Sequence, residues 1–344
     1  MVLLQSFLPT LAAIGKNTKR PPRVNGQARD KCAQGAMHEE RPGQAAAMIL
    51  GAMAALGLFD NFVGLIARDM GLWQFHLMRA AMALAALGVL AALGLVRLGA
   101  QRPWAVMLRG GFLALSMLIY FGSLGFLSVS EVAAGLFTAP IWTLLFSAVI
   151  QRKRVGGAQV AAAVLGFVGV LMVLDPLGHG VRPLALIPLA AGFFYAIGSV
   201  ATRTWCTGES AFAMLAWFFV VLGAMGAIGL GVLTLWPLPV PEGAPGFALR
   251  GWVWPVSGTA LGLTVLQAGA AIAAVGTIMR AYQLGEAAFV ASFEYSLLIF
   301  AAFWSWILWG DVPGAQAIAG MALIIVTGAA LVLVAPRAPG EGAP

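Results

Sequence analysis

From about residue 46 onward the chain alternates between apolar runs of roughly twenty residues and short polar breaks. Each run is continuously apolar, without the strict alternation of a half-buried strand. Ten such runs are read, at 46–66, 72–96, 104–124, 129–150, 157–174, 184–202, 211–235, 252–279, 285–309 and 314–335. A helix of about 20 apolar residues crosses a bilayer core with all its backbone groups paired internally. The breaks carry turn and charge signals: Arg68-Asp69, Arg97 to Pro103, Arg152-Lys153-Arg154, Asp175-Pro176, Trp236 to Arg250 and Asp311-Val312-Pro313.

Composition supports the same class. Only 10% of the 344 residues are charged and 61% are hydrophobic, with a mean hydropathy of +0.91. A soluble domain carries about 25% charged residues. Continuous runs of this length also argue against a transmembrane β-barrel, whose strands alternate over about ten residues. The expected fold class is therefore all-α integral membrane, with ten transmembrane helices.

Charge then gives orientation. With the N-terminus in the cytoplasm, sixteen of the 20 basic residues fall on the cytoplasmic side, Arg109, Arg203 and Arg280 among them as loop residues, and only Arg68, Arg79, Arg182 and Arg250 fall opposite. The positive-inside rule favours both termini in the cytoplasm; the membrane expected is a bacterial inner, or plasma, membrane. The net charge of +7 reflects that asymmetry, and it points to the lipid bilayer rather than to nucleic acid as the partner. Residues 1–45 are rich in Pro, Gly and charge and read as a disordered basic tail, with residues 337–344 as a short C-terminal tail. Met37 and Met48 are alternative starts. Cys32 and Cys206 are expected as free thiols.

An internal repeat organises the runs. Val155-Gly156-Gly157-Ala158-Gln159 opens run five, and Val312-Pro313-Gly314-Ala315-Gln316 opens run ten. Ser130-Glu131-Val132-Ala133 and Gly285-Glu286-Ala287-Ala288 open runs four and nine. Five spans per half is an odd number, so the second half enters the membrane with opposite polarity. The domains expected are 46–175 and 176–336, two inverted five-helix repeats, an arrangement in which secondary transporters bind substrate between the halves.

In the second half, Ser292-Phe293-Glu294-Tyr295-Ser296-Leu297-Leu298, Trp309-Gly310-Asp311-Val312-Pro313, Gly320 and Gly328 form an ordered set. In the first, Gln74 to Arg79, Leu108-Arg109-Gly110-Gly111 and Ala139-Pro140 form another. In this order they resemble the ten-helix carriers of the EamA group within the drug/metabolite transporter superfamily, over about residues 46–335. The resemblance implies a transporter of small metabolites. A departure is Gln151-Arg152-Lys153-Arg154, where that family often has a Glu after span four.

Ionisable groups inside a span are costly and usually face a cavity or a partner. Glu294 lies about nine residues into its run, roughly 14 Å deep, without Lys or Arg within a helical turn. It is the first candidate for a proton or cation carrier, with packing by hydrogen bond as the alternative. Asp60 and Arg79 share a depth in the first hairpin and are expected to pair, or to leave Arg79 for an anionic substrate. His76 reads as a satisfied interfacial histidine. Tyr120, Trp142, Tyr195, Ser199, Gln267 and Tyr295 lie at depths where a small-molecule cavity would form. Glu131 and Glu286 read as helix-start carboxylates.

The function expected is a secondary transporter moving a small amino-acid-like or nucleoside-like metabolite, a cationic one among the options, across the inner membrane by alternating access, with proton coupling as an option. No HExxH, no paired-histidine motif and no Ser-His-acid set at one depth occurs, so an enzyme is not expected, nor a catalytic residue, metal or cofactor. An integral-membrane enzyme or a channel remains the alternative. A monomer is expected, because each half supplies the other's packing surface, with a dimer left open.

Overall fold

A computed structural model describes residues 41–123, 132, 135–149, 156–174, 186–242, 246–310, 312 and 314–334. Among the described residues every regular element is helical. The order is α1 (Pro42–Asp60), α2 (Val63–Asp69), α3 (Leu72–Ala92), α4 (Pro103–Ser123), α5 (Ala139–Val149), α6 (Gly157–Leu174), α7 (Ile187–Thr204), α8 (Ala211–Leu235), α9 (Gly258–Leu284), α10 (Ala287–Glu294), α11 (Ser296–Trp309) and α12 (Ala315–Val334). Five stretches are long and apolar enough to cross a membrane: Pro42–Asp69, Leu72–Ala92, Pro103–Ser123, Ala211–Leu235 and Gly258–Leu284. Gly157–Met172, Ser292–Leu308 and Ala315–Thr327 are apolar but shorter.

Helices α6 and α8 coincide with the runs read from the sequence. Elsewhere local chemistry moves the ends. Helix α3 stops at Ala92, four residues short of the expected end. Gly94 turns left-handed there at φ 71°, and Leu95 N donates to Leu90 O at 2.9 Å, the geometry of a glycine C-cap. The run expected at 252–279 becomes Gly258–Leu284. Its first residues are not helical because they dock on the preceding half, and the helix starts at Ser257, whose Oγ accepts from Ala260 N at 3.1 Å. Runs one and nine are each split, at Asn61-Phe62 and at Tyr295, and run four is interrupted by a turn at Phe137-Thr138.

The helices pair in a set pattern. Helix α8 packs on α3 and α4, α7 on α4 and α5, α9 on α1 and α3, α10 and α11 on α1, and α6 on α12. The contact of α8 with α3 is close because Gly226 carries no side chain: a Cβ there would stand 3.0 Å from Leu77 N and Trp73 O. Large apolar side chains face outward, including Leu235 at 71% and Ile228 at 66% exposure. A soluble protein buries such residues, whereas a bilayer solvates them.

Both ends of the bundle are tied. At one end the segment 246–257, here called the latch, lies on residues 67–74. Leu72 N donates to Phe247 O at 2.8 Å and Trp73 Nε1 to Ala248 O at 2.9 Å. Gln74 bonds Val253 twice, Nε2 to its carbonyl at 2.9 Å and Oε1 from its N–H at 2.8 Å. Arg250 Nη1 donates to Ala67 O at 2.9 Å, and Ser257 Oγ donates to Asp69 Oδ2 at 2.7 Å. At the opposite end buried Glu209 accepts from the backbone N–H groups of Gln101 and Arg102, just ahead of α4, where orphan donors and the helix dipole favour a carboxylate. Gln283 Nε2 donates to Glu209 O at 2.8 Å, and Arg203 Nη1 to Gln283 O at 3.0 Å.

Candidate functional site

A cavity of about 120 Å³ lies inside the bundle, bordered by residues of both halves. That is room for a file of waters or a compact ligand rather than one trapped water. Its walls are mostly apolar, with Met53, Leu113, Met117, Phe218 and Ile278 among them. The three interruptions of the helices all reach it: Asp60 precedes the first, Phe137 lies in the second with Ala139 just after it, and Glu294 precedes the third.

Broken helices leave backbone groups that need partners in an apolar interior. Asn61 Nδ2 donates to Gly57 O at 2.7 Å and to Ala301 O at 3.4 Å. Gln267 Nε2, from α9, donates to Phe59 O at 2.8 Å. Thr138 Oγ1 donates to Gly135 O at 2.7 Å. Gln267 thus stands in the cavity wall while it satisfies the first break.

The polar lining forms two groups. One gathers Glu294 with Tyr195 and Tyr282. The two tyrosine hydroxyls donate to the same carboxylate oxygen, Oε1, at 2.7 Å from Tyr195 and 2.8 Å from Tyr282. Ser199, Thr202 and Arg109 line the same region, and Arg109 Nε donates to Thr202 Oγ1 at 2.8 Å. The second group holds Asp60, Arg79, Tyr120 and Gln267. Arg79 lies with its guanidinium carbon 5.1 Å from the ring centre of Phe75 and 5.6 Å from that of Phe121. Asp60 and Arg79 face the same space, but among the described residues no salt bridge joins them; aromatic faces hold the guanidinium instead. The expected direct pair is not formed.

Of the nine residues singled out, Asp60, Arg79, Tyr120, Tyr195, Ser199, Gln267 and Glu294 come together around the cavity. Tyr295 does not. It points the other way, its hydroxyl donating to Ala163 O at 3.3 Å and its ring packing on Phe137. Neighbouring residues of a helix point about 100° apart, and Tyr295 keeps helical backbone angles, φ −57° and ψ −24°. Trp142 also stands outside the lining, its Nε1 donating to Thr138 Oγ1 at 3.2 Å and its ring edge-on to Phe193. His76 differs from its expectation as well. It is fully buried between Phe75 and Phe121, and neither ring nitrogen has a hydrogen-bond partner. Glu286 sits at the start of α10 without capping it and accepts instead from Gln159 Nε2 at 2.7 Å. Glu131 and Cys32 lie outside the described residues, while Cys206 is a buried free thiol. Among the described residues no three His, Cys, Asp or Glu side chains cluster as a metal site would need.

Residues 43–175 match the model of the EamA-like transporter family. Over that stretch the chain is similar to that family. Among curated relatives, the chain is 25% identical to a riboflavin transporter of Vibrio cholerae over 193 residues, 56% of this chain and 58% of that one. It is 27% identical to a pseudopaline exporter of Pseudomonas aeruginosa, over 69% of this chain and 77% of the relative. It is 22% identical to an S-adenosylmethionine uptake transporter of Rickettsia prowazekii, over 65% and 70%. A solved crystal structure shares the fold with a TM-score of 0.67 at 22% identity, over 85% of this chain and 99% of its own.

Three polar residues of the cavity, Arg109, Thr202 and Tyr282, are not among those singled out from the sequence. Arg109 was counted with the loops, yet it is the seventh residue of α4 and only 2% exposed. The signal available was its place inside an apolar run. Tyr282 was hidden by the misplaced end of run eight, since α9 continues five residues past 279.

Proposed function

We propose that this chain is a secondary transporter that carries a small metabolite through the cavity by alternating access. The observation that carries the reading is a mostly apolar cavity with two groups of polar side chains, bordered by both halves of the chain at three helix interruptions. Interrupted helices put backbone and charged side chains at membrane depth only where they border protein or a water-filled passage, and transporters of this architecture bind their cargo there.

Two observations support two inverted five-helix repeats, at 46–175 and 176–336. The interruptions at Thr138 and Tyr295 are separated by the same interval as Val155 and Val312. The packing also repeats: α4 on α7 is answered by α9 on α1, α5 on α7 by α10 and α11 on α1, and α8 on α4 by α3 on α9. The basic-residue bias supports an inner-membrane chain with both termini in the cytoplasm, the Glu209 end inward and the latch outward. The relatives are named for riboflavin, pseudopaline and S-adenosylmethionine, and only their shared class, a small metabolite, is carried over.

Within this reading Glu294 is the coupling or cargo-contacting group. It is 6% exposed, eighth in α10, and about 10 Å from that helix's start. The test is a thermal-shift screen of the purified full chain against metabolites, followed by flux in proteoliposomes across pH 5 to 8. Glu294→Gln keeps the side chain's shape and both tyrosine partners, so the protein should fold while flux of the identified metabolite drops at least tenfold. A folded Glu294→Gln protein with unchanged flux and unchanged pH dependence would leave Glu294 as a packing group.

A further inference from the structure

The cavity holds two guanidinium groups, and they are not in the same situation. Arg79 has Asp60 close enough to act on it electrostatically and two aromatic faces beside it. Arg109 has neither. It is 2% exposed, its Nε is used by Thr202, and its Nη1 has no hydrogen-bond partner. The ionisable groups acting on it are Cys206 and Tyr195, both neutral hydrogen carriers at neutral pH. The remaining carboxylate of the cavity, Glu294, is engaged at Oε1 by two tyrosine hydroxyls.

A guanidinium always carries its charge, and burying one without a partner is among the costliest arrangements a protein interior can contain. The C-terminal turn of α7, where Thr202 sits, offers a partial negative charge but no acceptor for Nη1. Arg109 borders the cavity, and among the described residues no carboxylate of the chain is among the groups acting on it. Around it stand the hydroxyls of Tyr195, Ser199 and Thr202, and beyond them an apolar wall of Leu113 and Met279.

We propose that Arg109 is the anion subsite of this cavity: it holds a carboxylate or phosphate group of the cargo, whose apolar body lies against the neighbouring wall. The proposal rests on the cavity being the cargo site. It narrows the class of metabolite to those with an anionic group at one end. Guanidinium donors match both carboxylate and phosphate in a planar fork, which a lysine ammonium cannot reproduce.

The experiment uses the purified full chain in lipid nanodiscs and matched probe sets. Each set has a phenyl, an indolyl or a linear aliphatic body, prepared as carboxylate, carboxamide, amine and phosphate ester. Thermal stabilisation is titrated for each. The expected result is that a carboxylate or a phosphate ester half-saturates at least about tenfold lower than its carboxamide, the scale of one charge-assisted pair. The two arms tell which anion is preferred. In Arg109→Gln that preference should vanish while the carboxamide binds as before. Arg109→Lys, which keeps the charge should Arg109→Gln fail to fold, should retain a reduced preference. Binding of acid and amide alike by the wild-type protein, or an acid preference that survives Arg109→Gln, overturns the subsite while leaving the cavity as a cargo site. Absence of stabilisation by every probe in every set overturns both.

Discussion

Glu294 and its two tyrosines show how one residue's surroundings set its options. Both hydroxyls donate to Oε1, so the carboxyl is pinned from α7 and from α9 at once. Tyr195→Phe and Tyr282→Phe should each cost about 1–2 kcal/mol, the price of one buried hydrogen bond to a carboxyl. The double change should cost more than the two together, because Oε1 then has no donor; thermal unfolding of the four proteins measures the coupling. Cys206 offers a second test at this scale. Burial pushes its thiol from 9.0 up to about 11, opposed in part by Arg109. The folded protein therefore keeps the thiol protonated where the unfolded chain has lost the proton, so this group removes stability as pH rises from 9.0 toward about 11. Maleimide should label Cys206 slowly at pH 7.5 in the folded protein and rapidly after denaturation, with mass spectrometry as the readout. Rapid labelling of the folded chain would contradict the burial.

Among elements, the contact of α3 with α8 depends on a missing side chain. A Cβ at Gly226 meets backbone atoms of α3, which cannot swing aside as a flexible side chain can. Gly226→Ala should therefore lower stability by about 1–3 kcal/mol, the range for an overpacked contact. Gly231, on the same helix, has nothing within 4 Å of a built Cβ. Gly231→Ala should be neutral or stabilising, since alanine favours a helix over glycine by about 0.5–1 kcal/mol. Melting curves of the two variants side by side separate packing from propensity. Loss of stability in both would point to propensity or lipid contact instead.

For the whole molecule, the proposed mechanism requires one end of the bundle to open while the other stays shut. The latch end is closed here by the paired bonds of Gln74 with Val253 and by Ser257 with Asp69. A disulfide between Asp69→Cys and Ser257→Cys, in a chain with Cys32 and Cys206 replaced by Ser, should hold that end closed. Flux in proteoliposomes should then stop on oxidation and return on reduction. Flux that persists in the fully cross-linked protein would mean that cargo does not pass the latch.

Helix positions were largely legible from the chain alone, because hydrophobicity is local and additive. A run of apolar residues reads the same whatever it packs against, and α6 and α8 lie where their runs lie. The ends were less legible where a docked segment competed with the helix, as at 252–257, or where a C-cap glycine ended it early, as at Gly94. Depth along a run was also readable, which is how Asp60, Glu294 and Gln267 were singled out. The direction in which a side chain points was not. Tyr295 follows Glu294 directly yet faces Ala163, and Arg109 looked like a loop cation until α4 carried it inside. Facing depends on where the helix breaks and on which neighbour each face meets, and those are set by contacts between residues far apart in the chain. The sequence determined which segments are helical and which few polar groups they carry; only the tertiary structure decided which of those groups share one cavity and which partner each of them holds.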